Sequence, residues 1–259
     1  MSVDALDLSP APTPRSRGGN VWRHGLTDAA LQLRNGEQLL LTVLIPVGLL
    51  VIGHFFARDL LPIEQLAPSV MALALWSSCF TGTAIATGFE RRYGVLERLA
   101  ATPLTRAGLI LGKTLGVVII CAIQVLLLIT VSVLLGWRPS PTAVDLVVLP
   151  LTTLGAMISF VACALIMAGR LRAEVTLALA NVVYLTLAVG GGLVAPLATY
   201  PGPLAVIAGL LPTGALGEAW RSFSTGAADG PAAFWPVAVV AVWAALTTLV
   251  ASKVFRWMS

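Results

Sequence analysis

The residues best equipped for chemistry lie between Glu90 and Leu115, ERRYGVLERLAATPLTRAGLILGKTL. Within them, Gly108-Leu-Ile-Leu-Gly112-Lys113-Thr114 has the lettering of a phosphate-binding loop, which would make this chain a nucleotide binder. That loop requires GxxxxGK[ST], because the four intervening residues wrap backbone N–H groups around the phosphates between a strand and a helix. Here only three residues separate the glycines. Thr102-Pro103 reads as an N-cap followed by proline at the first helical position, so Gly108 to Lys113 is expected to be helical already. A helix interior has no N–H groups free for phosphate. The other reactive residues are sparse. His24 and His54 are far apart and lack neighbouring ligands, and Cys79, Cys121 and Cys163 fall in three different apolar segments without metal or disulfide spacing. No GxSxG nucleophile motif occurs, so no metal site and no enzyme chemistry are expected on this chain.

The elements around these residues belong in a bilayer. Among 259 residues, 58% are hydrophobic and 11% charged, with a mean hydropathy of +0.91, against about 25% charged in a soluble domain. The charges gather in short segments and leave apolar runs at about Leu39 to Ala57, Ala67 to Phe89, Thr114 to Trp137, Ala143 to Gly169, Val175 to Pro196 and Phe234 to Ser252. Each is long enough to cross a core of about 30 Å as a helix of roughly 20 residues. A further candidate, Gly202 to Leu211, would reach only ~15 Å. With Gly190 to Gly192 and Pro196, Pro201, Pro203 and Pro212 around it, this region predicts short re-entrant helices before the last span. The expected fold is an all-α polytopic membrane protein with six transmembrane helices.

Lys and Arg are retained in excess in cytoplasmic connections. Of the 16 basic residues, all but Arg58, Arg138 and Arg221 fall on one side of a six-span chain, so both termini are expected in the cytoplasm. Residues 1–19 carry Asp4, Asp7 and three prolines without an apolar signal-peptide core, and are expected to be an uncleaved, disordered cytoplasmic tail. Over residues 20–37, Trp22, Leu26, Ala29 and Leu33 recur at helical spacing against Arg23, His24, Asp28 and Gln32. This describes an amphipathic helix, either lying on the inner membrane surface or packed on protein. Residues 38–259 form the six-span domain. The net charge of +4 is mostly this topology signal rather than a nucleic-acid patch.

Ion-coupled transporters carry ionisable residues at membrane depth. Here Lys113, Asp145 and Glu174 sit at span ends and Gln124 and Asn181 are the main amides within, so any driving energy is expected to arrive from a partner at the cytoplasmic face. The largest cytoplasmic connection is the segment quoted above. On an expected helix from Phe89 to Ala101, Glu90, Arg91, Arg92, Glu97 and Arg98 surround Val95, Leu96 and Leu99. It is either a charged loop held inside by its arginines or a rigid lever that docks on a partner.

Glu90-Arg91-Arg92-Tyr93-Gly94-Val95-Leu96-Glu97-Arg98-Leu99, then Thr102-Pro103-Leu104, then Leu111-Gly112-Lys113, resembles the ordered pattern of permease subunits of the type 2 ABC exporter superfamily, which includes drug-resistance and lipid or polysaccharide export permeases. The layout agrees across nearly the whole chain, with weaker support at Leu211-Pro212 and Glu218-Ala219-Trp220-Arg221. The resemblance implies that Glu90, Arg91, Arg92, Gly94, Leu96, Glu97, Arg98 and Leu99 couple to a separate ABC ATPase subunit, which would hold the ATP and Mg. It also implies that two permeases, identical or sister chains, pair in the membrane. Gly82, Ala84, Ala86 and Gly88 are candidates for that dimer contact or for close packing within one subunit. A path with few charges suits hydrophobic drugs or lipids, a composition rich in Arg and Ala points to a GC-rich bacterium, and the resemblance implies a bacterial inner membrane and multidrug efflux. A secondary transporter or channel, and a membrane assembly factor, are the rival classes.

Overall fold

The computed structural model describes residues 17–34, 36–58, 61–100 and 106–254, and every regular element among them is helical. In order these are α1 (Arg17–Arg34), α2 (Gly36–Phe56), α3 (Ile63–Trp76), α4 (Thr83–Arg92), α5 (Val95–Ala100), α6 (Arg106–Leu134), α7 (Asp145–Ala168), α8 (Ala173–Gly190), α9 (Gly202–Gly209), α10 (Pro212–Thr225) and α11 (Trp235–Val254). Gly108 to Lys113 lies inside α6, so the loop-like lettering is helix. The expected cap at Thr102-Pro103, like most of the N-terminal tail, lies outside the described residues.

The protein is an all-α polytopic membrane protein. Five stretches are long and apolar enough to cross a bilayer: Ile63–Arg92, Gly108–Leu134, Asp145–Ala168, Ala173–Gly190 and Pro231–Val254. The expected first span corresponds to α2, whose 21 residues would reach about 31 Å at 1.5 Å each; its apolar stretch is Thr42–Phe56. Counting α2 gives six. Apolar side chains cover the outside as well as the inside, with Leu126, Leu185 and Val189 all more than 60% exposed. That is the pattern for a molecule whose solvent is lipid.

The second span is the axis of the core. Its two halves, α3 and α4, join through a π-helical turn at Ser77–Gly82 that the apolar pattern did not predict. Trp76 stacks on Phe80 with ring centroids 4.3 Å apart and meets Phe160 of α7 edge-on at 4.6 Å. Met71, Leu75, Cys79 and Ala84 are buried around them.

The pair α9–α10 bends by 92°. Its elbow is fixed by Trp243, whose Nε1–H donates to the Leu210 carbonyl at 2.8 Å. Trp243 is eight residues into α11, about 12 Å deep, less than half of a ~30 Å core. From there α10 returns to the end it came from, where the Ser224 carbonyl accepts from the Ser140 amide and Ser224 Oγ donates to the Glu64 carbonyl at 2.7 Å. The pair is re-entrant in shape. Arg221, expected on the side opposite most of the basic residues, lies on α10 at the end shared with Glu64 and Ser140, and it is buried at 6% exposure. Its guanidinium donates to the carbonyls of Gly192 and Leu193, to Ser69 and to Glu218.

Candidate functional site

At the other end of the molecule, three consecutive residues at the foot of the second span each engage a different neighbour. Glu90 Oε1 accepts from Lys113 of α6 at 2.9 Å, and Oε2 lies 2.8 Å from the same ammonium as an ion-pair contact. Arg91 Nη1 donates to the Ala168 carbonyl that ends α7, at 3.4 Å. Arg92 pairs with Glu174 in the first turn of α8, both side chains being exposed. Successive helical residues point about 100° apart, so a charged triplet at a helix end reaches three directions at once. Gly88, one turn above, packs against Ala173 and Thr176 of α8, where an added methyl would make ordinary contact at 3.5 Å.

Lys113 also anchors α1. Its ammonium is 4% exposed, close to Glu90 and 4.0 Å from Asp28 Oδ1, while Gln32 donates to Asp28 Oδ2 at 3.0 Å. The approach of α1 to α6 depends on glycine. A methyl group on Gly112 would lie 2.5 Å from the His24 ring, and one on Gly116 would lie 2.7 Å from Asp28 Oδ2. Two glycines four residues apart open a groove along one helix face. Burial first, and then the Lys113 charge, lower the His24 pKa, against the pull of Asp28 and Glu90. The reading of α1 as a helix packed on protein is realised. His24, Gly25, Asp28 and Ala29 turn toward α6, while Trp22, Leu26 and Leu33 are exposed.

The helix expected from Phe89 to Ala101 is in fact two. It turns at Tyr93-Gly94, with Gly94 at φ 70°, a left-handed conformation that disfavours any side chain. The six-residue α5 follows, with Tyr93, Val95, Glu97 and Arg98 exposed. Leu96 and Leu99 are on α5, but their side chains lie outside the described residues. Phe89 and Tyr93 stack across the turn at 6.2 Å.

Above Lys113 a cleft runs up between α2, the π-helical turn, α6 and α8. A lower lobe of about 230 Å³ holds Asp28, Gln32, Glu90 and Lys113. An upper lobe of about 530 Å³ brings Gln124 and Asn181 together with Leu49, Leu73 and Tyr184. Gln124 bridges the walls, donating to the Thr42 carbonyl at 2.7 Å and accepting from Ser78 Oγ at 3.0 Å. Of the small residues in the second span, Gly82 and Ala86 line this cleft. Ala84 is fully buried within the subunit and Gly88 faces α8, so these two pack inside the chain rather than outward toward a second copy. Cys79 and Cys121, separate in sequence, meet at 3.7 Å as free thiols. Among the described residues no group of His, Cys, Asp or Glu is placed to hold a metal ion.

The second span thus ends in a three-way charged hub, followed by a turn and a short exposed helix. The sequence model of the ABC-2 type transporter family matches residues 26–225, three quarters of the chain and all of this hub. The chain belongs to the ABC-2 type transporter family. It is a transmembrane permease subunit, and its family pairs such subunits with an ABC ATPase. No curated protein matches the chain closely enough to refine that assignment. Sequence reasoning missed the role of Lys113 in this ABC-2 permease, taking it as the start of the third span. The available signal was a lysine beside Gly112 and Gly116, facing Asp28 and Glu90 from other segments.

Proposed function

We propose that this permease is the membrane half of an ATP-driven exporter in a bacterial inner membrane, moving hydrophobic or amphipathic compounds out of the cell. A separate ATPase, holding ATP and Mg, docks on α5, and its movement enters the membrane domain through the Tyr93-Gly94 turn. The observation that carries this reading is the triplet Glu90, Arg91 and Arg92, each bonded to a different helix. A displacement of α5 cannot move α4 without loading α6, α7 and α8 together. Docking at α5 would draw its energy from Leu96 and Leu99, with Glu97 and Arg98 at the rim, because exposed ion pairs are typically worth 0–1 kcal/mol.

The basic residues of the hub support placing it, with both termini, in the cytoplasm. Two permeases pair to enclose the path. Orientation is tested by labelling single cysteines at Ser2 and Ser259 in a chain lacking Cys79, Cys121 and Cys163; both should resist impermeant reagent in intact cells. Coupling is tested by co-purifying the permease with its ATPase and measuring substrate-stimulated ATP hydrolysis. Leu96→Asp is expected to abolish association or stimulation, and Glu97→Lys to weaken it severalfold. Full stimulation in both variants would reject α5 as the docking element.

A further inference from the structure

We propose that the cleft between α2, the π-helical turn, α6 and α8 binds an amphipathic organic cation, with Asp28 as the residue that selects its charge. This rests on the reading of the chain as an exporter of amphipathic compounds and narrows it to one sign of charge. The two lobes share Thr42, Ser78, Gly82 and Ala86 in their walls, so an apolar chamber opens onto a charged foot. The upper lobe, at about 530 Å³, is within the ~300–1,000 Å³ of pockets that hold compact organic ligands. It also presents a hydroxyl with nothing to bind: Thr81 lines it, is 9% exposed, and its Oγ1 has no hydrogen-bond partner. A buried hydroxyl left unpaired is costly, and a small turn of the Thr81 side chain toward the cleft would let a polar group on a ligand satisfy it.

The foot has one negative charge more than its cation balances. Lys113 Nζ holds both oxygens of Glu90 at 2.8 and 2.9 Å, whereas Asp28 reaches it only at 4.0 Å and otherwise accepts from the neutral Gln32 amide. His24, on the same helix, has its pKa lowered by burial and by Lys113, which disfavours its charged form. With Asp28, Glu90 and Lys113 beneath apolar walls, the residual charge acts through a medium that screens it less than water does. A cation seated head-down meets Asp28; an anion of the same shape is repelled by it.

Tetraphenylphosphonium and tetraphenylborate are nearly the same size and shape and opposite in charge, which isolates this property. Their equilibrium binding would be measured on the full chain in nanodiscs of zwitterionic lipid. The cation should bind at least about tenfold more tightly than the borate, Asp28→Asn should erase the difference, and Asp28→Glu should keep it. Ala86→Leu, which narrows the passage between the lobes without touching a charge, should weaken cation binding and covers the case in which the Asp28 variants fail to fold. Equal affinity for the two ions, binding of neither, a preference that survives Asp28→Asn, or full cation binding in Ala86→Leu would each overturn the proposal. The exporter reading fails separately. If a partner ATPase is stimulated equally by amphiphiles of either charge, export stands and cation selectivity falls; if no ATPase couples yet the binding pattern holds, the site stands and export falls.

Discussion

The two ends of this molecule are held by different kinds of bond. At the α10 end, Arg221 is buried and spreads its donors over the Gly192 and Leu193 carbonyls, Ser69 and Glu218, while Trp137 Nε1 donates to Ser224 Oγ and Asp145 accepts from Thr142 and Ser222. Most of those partners are backbone or neutral groups with no alternative nearby. At the α1 end, Lys113 chooses between Glu90 and Asp28, and Arg92 reaches Glu174 in the open. Ion pairs between side chains can exchange partners without unfolding backbone. The contrast describes one end built to keep its shape and one able to change it.

Substitutions can break or sharpen this comparison. The largest effect is expected at Arg221→Met, which strips donors from two buried carbonyls and leaves Glu218 without its cation, at a cost of about 3–5 kcal/mol. Thermal unfolding in detergent should show it as poor yield or a large drop in midpoint. Lys113→Met should cost less, about 1–3 kcal/mol, because Lys113 bonds only carboxylates and its loss leaves no buried backbone carbonyl unpaired. Glu90→Gln in the same chain should restore part of that loss, since the two residues share one interaction. Equal destabilisation by Arg221→Met and Lys113→Met would remove the distinction between the ends.

A smaller effect should follow acidification. His24 has a lowered pKa when α1 is docked and the ordinary value near 6.5 when it is released. The released state therefore binds more protons, and docking weakens as pH falls below about 6.5. A fluorophore at Thr27 should report α1 lifting at acid pH, and His24→Gln should flatten the response. The smallest change is expected at Arg92→Ala. Its pair with Glu174 is exposed on both sides, so stability should move by no more than about 1 kcal/mol, measured by the same melt.

The apolar runs made the spans legible, because a lipid-facing helix must be apolar all round and about 20 residues long. The short reach of Gly202–Gly209 made the re-entrant pair legible for the same reason. Lys113 and Arg221 were not legible as structure, since a charge near a span end reads identically whether it faces water or a buried partner. The burial of Arg221 was hidden because the sequence does not show that α8 ends at Gly190 and leaves the carbonyls of Gly192 and Leu193 to be satisfied. The join between α4 and α5 was half visible. The charges of Glu90 to Arg98 could be read, but a glycine in a helical pattern does not say whether the helix continues through it, and Gly94 turned out to bend it.

The wide turn at Ser77–Gly82 has a consequence of phase. A π-helical turn holds one more residue than the α-helical turn it replaces. Every residue from Thr83 onward thus points about 100° away from where an unbroken α-helix would carry it, Glu90, Arg91 and Arg92 among them. The upper and lower halves of the second span are consequently indexed apart, one to the aromatic core around Trp76, the other to the three helices below. Deleting a single residue between 77 and 82 would close the wide turn into plain α-helix at little cost to the rod itself. Because the lost residue subtracts the same ~100° that the wide turn absorbs, all three charged side chains would keep facing their partners, whereas a residue deleted from the α-helical part below the turn would swing all three, and α5, aside together.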